Sequence, residues 1–216
     1  MKQEFWQNCW NKEQIGFHQD ELQPLLVQYF PSLLSAGDSR IFVPLCGKST
    51  DLLFFADRFK VIGSELSAIA CKDFFRENQL DAQITPALGF NVYKANNVEI
   101  YQGDFFALDA NLFQQFDWVY DRAALIAFPE AMRADYAYHL RSFIKDKTRV
   151  FLLTLEFDQS EMDGPPFSVP ESDVRQLFDG FKVSKKAERD LVGQKFARRN
   201  LPLSHLKECL YIISKG

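Results

Sequence analysis

The chain alternates short apolar runs with stretches in which apolar residues recur at helical spacing. The short runs predict seven strands, at residues 40–45, 60–66, 97–104, 116–122, 148–157, 181–190 and 207–215. The helical spacing predicts helices at residues 49–59, 67–78, 129–144 and 171–180. Strands that alternate with helices predict an α/β fold with a mostly parallel seven-stranded sheet and helices on both faces. No helix separates the last two strands, which predicts an antiparallel edge strand there.

Length and composition favour one domain. The chain has 216 residues, of which 47% are apolar and 25% are charged, as in an ordinary globular protein. No repeat and no low-complexity linker divides it. We therefore predict a single domain over residues 1–216, with residues 1–36 as an N-terminal helical segment on a Rossmann-like core of residues 37–216.

Charge and cysteine usage exclude several classes of function. The net charge of −4 disfavours nucleic-acid binding. The four cysteines and three histidines are scattered without metal-ligand spacing, so we predict no metal and a reducing, cytoplasmic location. The N-terminus lacks a signal-peptide pattern. No apolar run reaches the roughly 18 residues that a membrane span needs, so we predict no membrane partner.

The segment IFVPLCGKSTDLLFFA (41–56) joins the first strand to the first predicted helix, where α/β sheets bind ligands. It ends like a phosphate-binding P-loop, but Phe42 occupies the position of the first glycine that such a loop requires. A dinucleotide loop needs three glycines, and Leu45 stands where one of them would precede Gly47. Both phosphate readings are therefore disfavoured.

Acidic residues at strand ends favour a nucleoside instead. Glu65 ends the second strand eighteen residues after Gly47, where an acid can accept hydrogen bonds from a ribose. Asp104 ends the third strand and could approach an adenine edge or cap a turn. Asp121 and Arg122 end the fourth, as part of a ligand site or as a salt bridge. A ribose partner without a pyrophosphate loop suits S-adenosylmethionine, so the pattern favours a methyltransferase.

Six segments together carry a resemblance to a known family: FWQNCWNKEQIGFHQ (5–19), FVPLCGKSTDLLFFADR (42–58), VIGSELS (61–67), FFRENQL (74–80), FDWVYDRAALIAF (116–128) and GPPFSVP (164–170). In these segments the chain resembles the thiopurine S-methyltransferase family, especially its bacterial members. The likeness covers nearly the whole length and implies a class I S-adenosylmethionine-dependent methyltransferase.

The resemblance also implies roles for individual residues. It assigns Trp10, Leu45 and the loop around Gly47 to the cofactor pocket, and Glu65 to the ribose hydroxyls. It places Asp104 and Phe105 at the adenine. In the same way, Phe17 corresponds to a substrate-facing aromatic residue, and Arg122 lines the active site, where it would contact cofactor and acceptor and serve as the catalytic positioning group. Residues 1–36 would form a lid.

Two departures from the family pattern stand out. Ser64 replaces a small apolar residue, which we expect to affect packing alone. Ala123 replaces the glycine of the mammalian D-R-G-A-L form, so mammalian substrate preference does not transfer automatically. Two loop residues are not expected to be functional: Cys46 is interpreted as a buried packing residue, and Lys48 as uninformative.

The reaction that the resemblance implies is transfer of a methyl group from S-adenosyl-L-methionine to a small aromatic or heterocyclic thiol by in-line attack. S-adenosyl-L-homocysteine is the expected product, a small molecule the expected partner, and a monomer the expected state. Three alternatives stay open: methylation of selenium or tellurium species as detoxification, a non-catalytic S-adenosylmethionine sensor, and an NAD-dependent oxidoreductase, which the missing glycines disfavour.

Overall fold

A computed structural model describes residues 3–216 of the chain. Within this range the α-helices are α1 (Gln3–Asn11), α2 (Pro24–Leu33), α3 (Asp51–Ala56), α4 (Ala68–Glu77), α5 (Glu130–Arg141) and α6 (Glu171–Leu177). The strands are β1 (Arg40–Val43), β2 (Lys60–Glu65), β3 (Gln83–Ala87), β4 (Phe90–Ala95), β5 (Val98–Gln102), β6 (Trp118–Asp121), β7 (Arg149–Glu156), β8 (Phe181–Asp190), β9 (Lys195–Phe196), β10 (Arg199–Asn200) and β11 (Lys207–Lys215). Two compact units cover residues 3–109 and 110–216, and they are called the N-terminal and C-terminal units.

The N-terminal unit has the strand order β3-β4-β5-β2-β1. β2 lies between β1 and β5 and is parallel to both, while β4 runs antiparallel to β5 and β3. Five of the six residues of β2 are buried, as expected for a parallel strand covered on both faces. Because β1 and β2 are parallel, the loop after β1 and the end of β2 meet at the same edge of the sheet.

The C-terminal unit has the strand order β6-β7-β11-β8. β6 and β7 are parallel, and β11 runs antiparallel to both β7 and β8. Six central residues of β7 are buried and form the core of this unit with β11. A separate antiparallel pair joins β9 and β10.

The structure confirms the α/β class and all seven predicted strands, but it corrects the strand number. The strand orders of the two units contain nine strands, not seven, because β3 and β4 form an additional hairpin. β3 has the sequence QITPA with no buried residue, and its proline and lack of alternation hide it from a strand pattern. The antiparallel edge strand expected in the last strand pair is β8, which is antiparallel to its neighbour β11.

The predicted helices are present but shorter. Ser67 caps α4, because its side chain accepts a hydrogen bond from the amide of Ala70. At α3, Thr50 stands at the N-cap without a side-chain bond, and Ser49 Oγ instead accepts from the amide of Asp51. No helix in residues 3–216 combines the length and hydropathy needed to cross a membrane.

Candidate functional site

The loop that follows β1 is held by three consecutive backbone amides. The amide of Leu45 donates to Ser64 Oγ at 3.3 Å, that of Cys46 to the Ser64 carbonyl at 2.9 Å, and that of Gly47 to Glu65 Oε2 at 2.8 Å. Leu45 and Gly47 have left-handed backbone angles, with φ of 48° and 54°. The end of β2 thus holds the loop in a tight, left-handed course.

Glu65 links this loop to the start of α4. Its second carboxylate oxygen, Oε1, accepts a hydrogen bond from the amide of Ser67 at 2.7 Å, and the side chain is buried. Burial raises the pKa of Glu65, while the backbone hydrogen bonds from Ser67 and Gly47 lower it. The predicted ribose acceptor therefore also holds the loop after β1 to the start of α4, which the sequence did not indicate.

Trp10 covers the loop from the N-terminal helix. A Cβ atom added to Gly47 would lie 3.4 Å from Trp10 Cζ2, so the indole lies beside the glycine and fills the space that a side chain there would need. Trp10 is 6% exposed and belongs to an apolar cluster with Ile15, Ala70 and the half-buried Phe17. The structure thus brings together three predicted site residues, Trp10, Gly47 and Glu65.

Phe17, the predicted substrate-facing residue, belongs to a chain of aromatic rings. Its centroid lies 5.6 Å from Trp10 and 5.4 Å from Trp6, both edge to face. Phe5 extends the chain at 5.1 Å from Trp6 and is 41% exposed. The rings lead from a buried tryptophan to the surface, and Trp6 and Phe5 are members to which the sequence assigned no role.

Asp104 and Phe105, predicted at the adenine, have structural contacts of their own. Asp104 Oδ1 accepts from the amide of Phe106 at 3.0 Å, which confirms the turn-cap reading. Its Oδ2 accepts from Gln3 Nε2 at 2.8 Å, which ties α1 to this turn. The ring of Phe105 is buried and stacks on Phe42 at 6.3 Å, so its side chain packs in the core.

Cys46 is a buried residue, as interpreted from the sequence, and Lys48 binds a neighbouring helix. Burial, and next the nearby Glu65, raise the pKa of the Cys46 thiol, so the thiol stays protonated and is a poor nucleophile. Lys48 Nζ lies 2.8 Å from Glu77 Oε1 in a salt bridge to α4. The lysine that makes the loop look like a P-loop therefore fastens the loop to a helix.

In the C-terminal unit, Arg122 follows the end of β6 and is half-buried. The preceding Asp121 is fully buried, accepts from the amide of Leu125 at 3.0 Å and accepts from the Tyr136 hydroxyl at 2.7 Å. Burial raises the pKa of Asp121 to about 6. Ala123 has a φ of 58°, a conformation that glycine adopts without strain.

Ser64 is the residue of this region that sequence reasoning misjudged. We expected its hydroxyl to affect packing alone, but it accepts a hydrogen bond from the amide of Leu45 in the loop after β1. The one available signal was a serine directly before the predicted ribose-binding acid. Among residues 3–216, no group of three or more His, Cys, Asp or Glu residues is arranged to hold a metal ion.

Comparisons with known proteins identify the family to which the chain belongs. The family model described as thiopurine S-methyltransferase matches residues 1–216. A thiopurine S-methyltransferase of Pseudomonas fluorescens is 43% identical over 217 residues, covering 100% of this chain and 98% of the relative. A protein of the same name from Marinobacter nauticus is 42% identical over 202 residues, covering 92% of each.

A solved structure supports the fold. A SAM-dependent methyltransferase from Anabaena variabilis superposes with a TM-score of 0.72 at 15% identity, over 99% of this chain and 95% of the other. At that identity the likeness concerns the fold alone. Together with the family match over the whole length, it confirms the prediction from the sequence: the chain belongs to the thiopurine S-methyltransferase family of S-adenosylmethionine-dependent methyltransferases.

Proposed function

We propose that the protein transfers the methyl group of S-adenosyl-L-methionine to small aromatic or heterocyclic thiols. One observation carries the proposal: at the ends of β1 and β2, Glu65 accepts a hydrogen bond from the Gly47 amide, and the Trp10 ring lies beside Gly47. This is the edge at which α/β sheets bind ligands. The relatives' name supplies the acceptor class.

The residues present fit a nucleoside cofactor. Glu65 accepts backbone hydrogen bonds from Gly47, Ser67 and Leu66, and a carboxylate offers about four acceptor sites. An acceptor direction is thus left for a ribose hydroxyl. In buried surroundings such bonds are stronger than in water. Leu45 and Trp10 offer apolar surface beside this carboxylate, and we propose Asp104 and the Phe105 backbone as the adenine contacts.

When bound, the cofactor supplies an electrophilic methyl group on a sulfonium. An aromatic heterocyclic thiol is acidic enough to be substantially ionised near neutral pH, so no strong general base is required of the chain. Its residues then act mainly by aligning the acceptor sulfur for in-line attack and by excluding water. We propose that Trp10 and Phe17, with residues 1–36 as a lid, perform the exclusion. S-adenosyl-L-homocysteine is the product.

We propose Arg122 as the residue that favours the anionic form of the acceptor. Its guanidinium is always charged, and it directly follows a β6 end whose Asp121 is fixed by two hydrogen bonds. Arg122→Ala should lower turnover of thiolate acceptors about tenfold or more, because removal of a single electrostatic contact in an active site lowers kcat by at least this much. The Kd for the cofactor should change less than threefold. Steady-state kinetics and calorimetry separate the two effects. Arg175→Ala, on the exposed face of α6, is the control, and unchanged turnover in Arg122→Ala would remove this residue from the mechanism.

Two measurements test the proposed function. Calorimetry with S-adenosylmethionine and, separately, with NAD should show binding of the first alone. Transfer of a labelled methyl group to a model aromatic thiol should then exceed transfer to selenite or tellurite. Cofactor binding without transfer to any acceptor would contradict the enzyme and favour a sensor. Preferential transfer to the chalcogen species would contradict the thiol assignment.

The remaining expectations concern the setting of the enzyme. We propose that the chain acts as a monomeric single domain in the cytoplasm, without a metal, nucleic-acid or membrane partner. Light scattering on the purified full chain tests the monomer. Activity that survives dialysis against a chelator tests the absence of a metal requirement.

A further inference from the structure

The loop assigned to the cofactor packs tightly against β2 where Cys46 lies beside Gly63. A Cβ atom placed on Gly63 would lie 2.8 Å from Cys46 Sγ, closer than real Cβ atoms approach their neighbours. Its next neighbours, Ile100 Cγ1 at 3.4 Å and Cys46 Cβ at 3.6 Å, are at contact distance. Glycine at position 63 is therefore required by the cysteine sulfur.

The Gly63 backbone does not itself demand glycine. Gly63 lies in β2, in parallel register with Val43 of β1 and Ile100 of β5, and strand backbone accepts any ordinary residue. Its missing side chain instead leaves the space into which Cys46 inserts. Cys46 is 7% exposed, so the sulfur has little open space to which it could move.

The backbone on either side of Cys46 is fixed. Its own amide donates to the Ser64 carbonyl at 2.9 Å, and the next amide, of Gly47, donates to Glu65 at 2.8 Å. Trp10 leaves little room above Gly47, since a Cβ atom added there would lie 3.4 Å from its ring. We therefore expect displacement of the Cys46 sulfur to strain the loop, and with it the contact between Gly47 and Glu65.

We propose that Gly63 and Cys46 form a steric interlock that positions the Gly47 amide on Glu65 and so sets the affinity for the cofactor. Both are positioning residues, since neither needs to touch cofactor or substrate. The inference rests on the proposed function, in which Glu65 and the loop bind S-adenosylmethionine. Its distinctive consequence is that a defect introduced at position 63 is repaired at position 46.

The test is a cycle of four proteins: wild type, Gly63→Ala, Cys46→Ala and the double variant. Calorimetry with S-adenosyl-L-homocysteine should show Gly63→Ala binding at least tenfold more weakly than wild type. Cys46→Ala should weaken binding less than Gly63→Ala does, because it loosens the interlock without forcing the loop out of place. The double variant should return to within threefold of Cys46→Ala, because the sulfur is gone and the nearest position-46 atom lies 3.6 Å away.

Thiol reactivity provides a readout that needs no cofactor. All four cysteines are buried, so wild type should react slowly with a disulfide reagent in the folded state. Gly63→Ala should expose one additional thiol, and the double variant should lose that fast reaction. If wild type fails to bind S-adenosylmethionine, the proposed function fails, and this measurement still decides whether the interlock exists.

Three results would overturn the interlock. The first is a Gly63→Ala variant with a lowered Tm but unchanged cofactor Kd and KM, which would make the contact merely structural. The second is a folded double variant that does not recover affinity. The third result concerns a Gly63→Ala variant that does not fold. In that case the double variant should fold and bind, and a double variant that fails to do so would overturn the interlock.

Discussion

Glu65 shows how one buried side chain can serve the fold and a ligand together. Its two oxygens bind the amides of Gly47 and Ser67, which fixes the carboxylate before a ribose is present. A preorganised acceptor has little rotamer entropy left to lose on binding. The structural role therefore supports the proposed ligand role.

Glu65→Gln tests both roles. In an amide, an NH2 group replaces one of the two oxygens and faces the N–H of Gly47 or Ser67, so that buried N–H is left unmatched. We expect the free energy of unfolding to fall by about 1–3 kcal/mol. Wild type should bind S-adenosyl-L-homocysteine about 1–3 kcal/mol more tightly than an analogue lacking the ribose hydroxyls, whereas the variant should bind both equally.

The matched control for this experiment is Glu99→Gln. Glu99 is also a largely buried carboxylate of the N-terminal unit, but it binds Lys60 and Lys94. Its variant should keep the wild-type preference for the hydroxylated ligand. A Glu65→Gln protein that keeps this preference too would disprove the ribose contact.

Ala123 carries a strain that can be removed. Its φ of 58° costs a residue with a Cβ atom about 1–2 kcal/mol, whereas glycine loses about 0.5–1 kcal/mol of chain entropy on folding. Ala123→Gly should therefore raise the free energy of unfolding by about 0.5–1 kcal/mol, measured by denaturant titration. Ala124→Gly is the control: with φ at −94° and the side chain buried, it should destabilise the protein. Destabilisation by Ala123→Gly would contradict the strain.

At the scale of elements, Arg133 fastens three segments of the C-terminal unit. From α5 its guanidinium donates to the Phe128 carbonyl at 3.1 Å, to Asp173 of α6 at 2.9 Å, and to the Ser168 carbonyl at 2.7 Å. Ser168 belongs to the GPPFSVP segment, one of the marks of the family. The segment's fixed course thus depends on an arginine far from it in sequence.

Arg133→Lys keeps the charge but not the three directions of donation. An ammonium cannot reproduce a planar fork, and at least one buried carbonyl loses its partner. We expect the free energy of unfolding to fall by about 2–4 kcal/mol. The matched control is Arg175→Lys, an exposed pair with Glu171 one helical turn away, which should change stability by less than about 0.5 kcal/mol. Equal effects of the two substitutions would show that the Arg133 clamp contributes little.

At the scale of the whole molecule, the sequence predicted the order of strands and helices better than the contacts between them. The spacing of Gly47 and Glu65 predicted a ribose site, because both lie at ends of neighbouring parallel strands. The assignment of Trp10 to the same site required the family resemblance, since no local pattern encodes proximity across so many residues, and its position beside Gly47 came from the structure. The roles of Ser64 and Gly63 depend on the register of β2 against the loop, and only the structure supplies that register.

The buried carboxyl group of Asp121 makes the stability of the protein depend on pH. Burial raises its pKa from 3.8 to about 6, although hydrogen bonds from Leu125 and Tyr136 lower it. The folded chain therefore holds this proton more tightly than the unfolded chain. The stabilisation is fully present below pH 3.8 and is lost as the pH rises through about 6. A shift of this size corresponds to about 2–3 kcal/mol.

Asp121→Asn removes this titration while keeping a polar group that can bond to Leu125 and Tyr136. Between pH 4 and pH 6.5, the free energy of unfolding of the variant should therefore rise relative to wild type by about 2–3 kcal/mol. Denaturant titrations at a series of pH values measure this difference, in which the effects of other carboxyls cancel. Asp158→Asn is the control with the opposite sign: Ser160 hydrogen bonds lower the pKa of Asp158, so its stabilisation is lost as the pH falls. A difference between Asp121→Asn and wild type that does not change with pH would show that Asp121 titrates alike in the folded and unfolded chains.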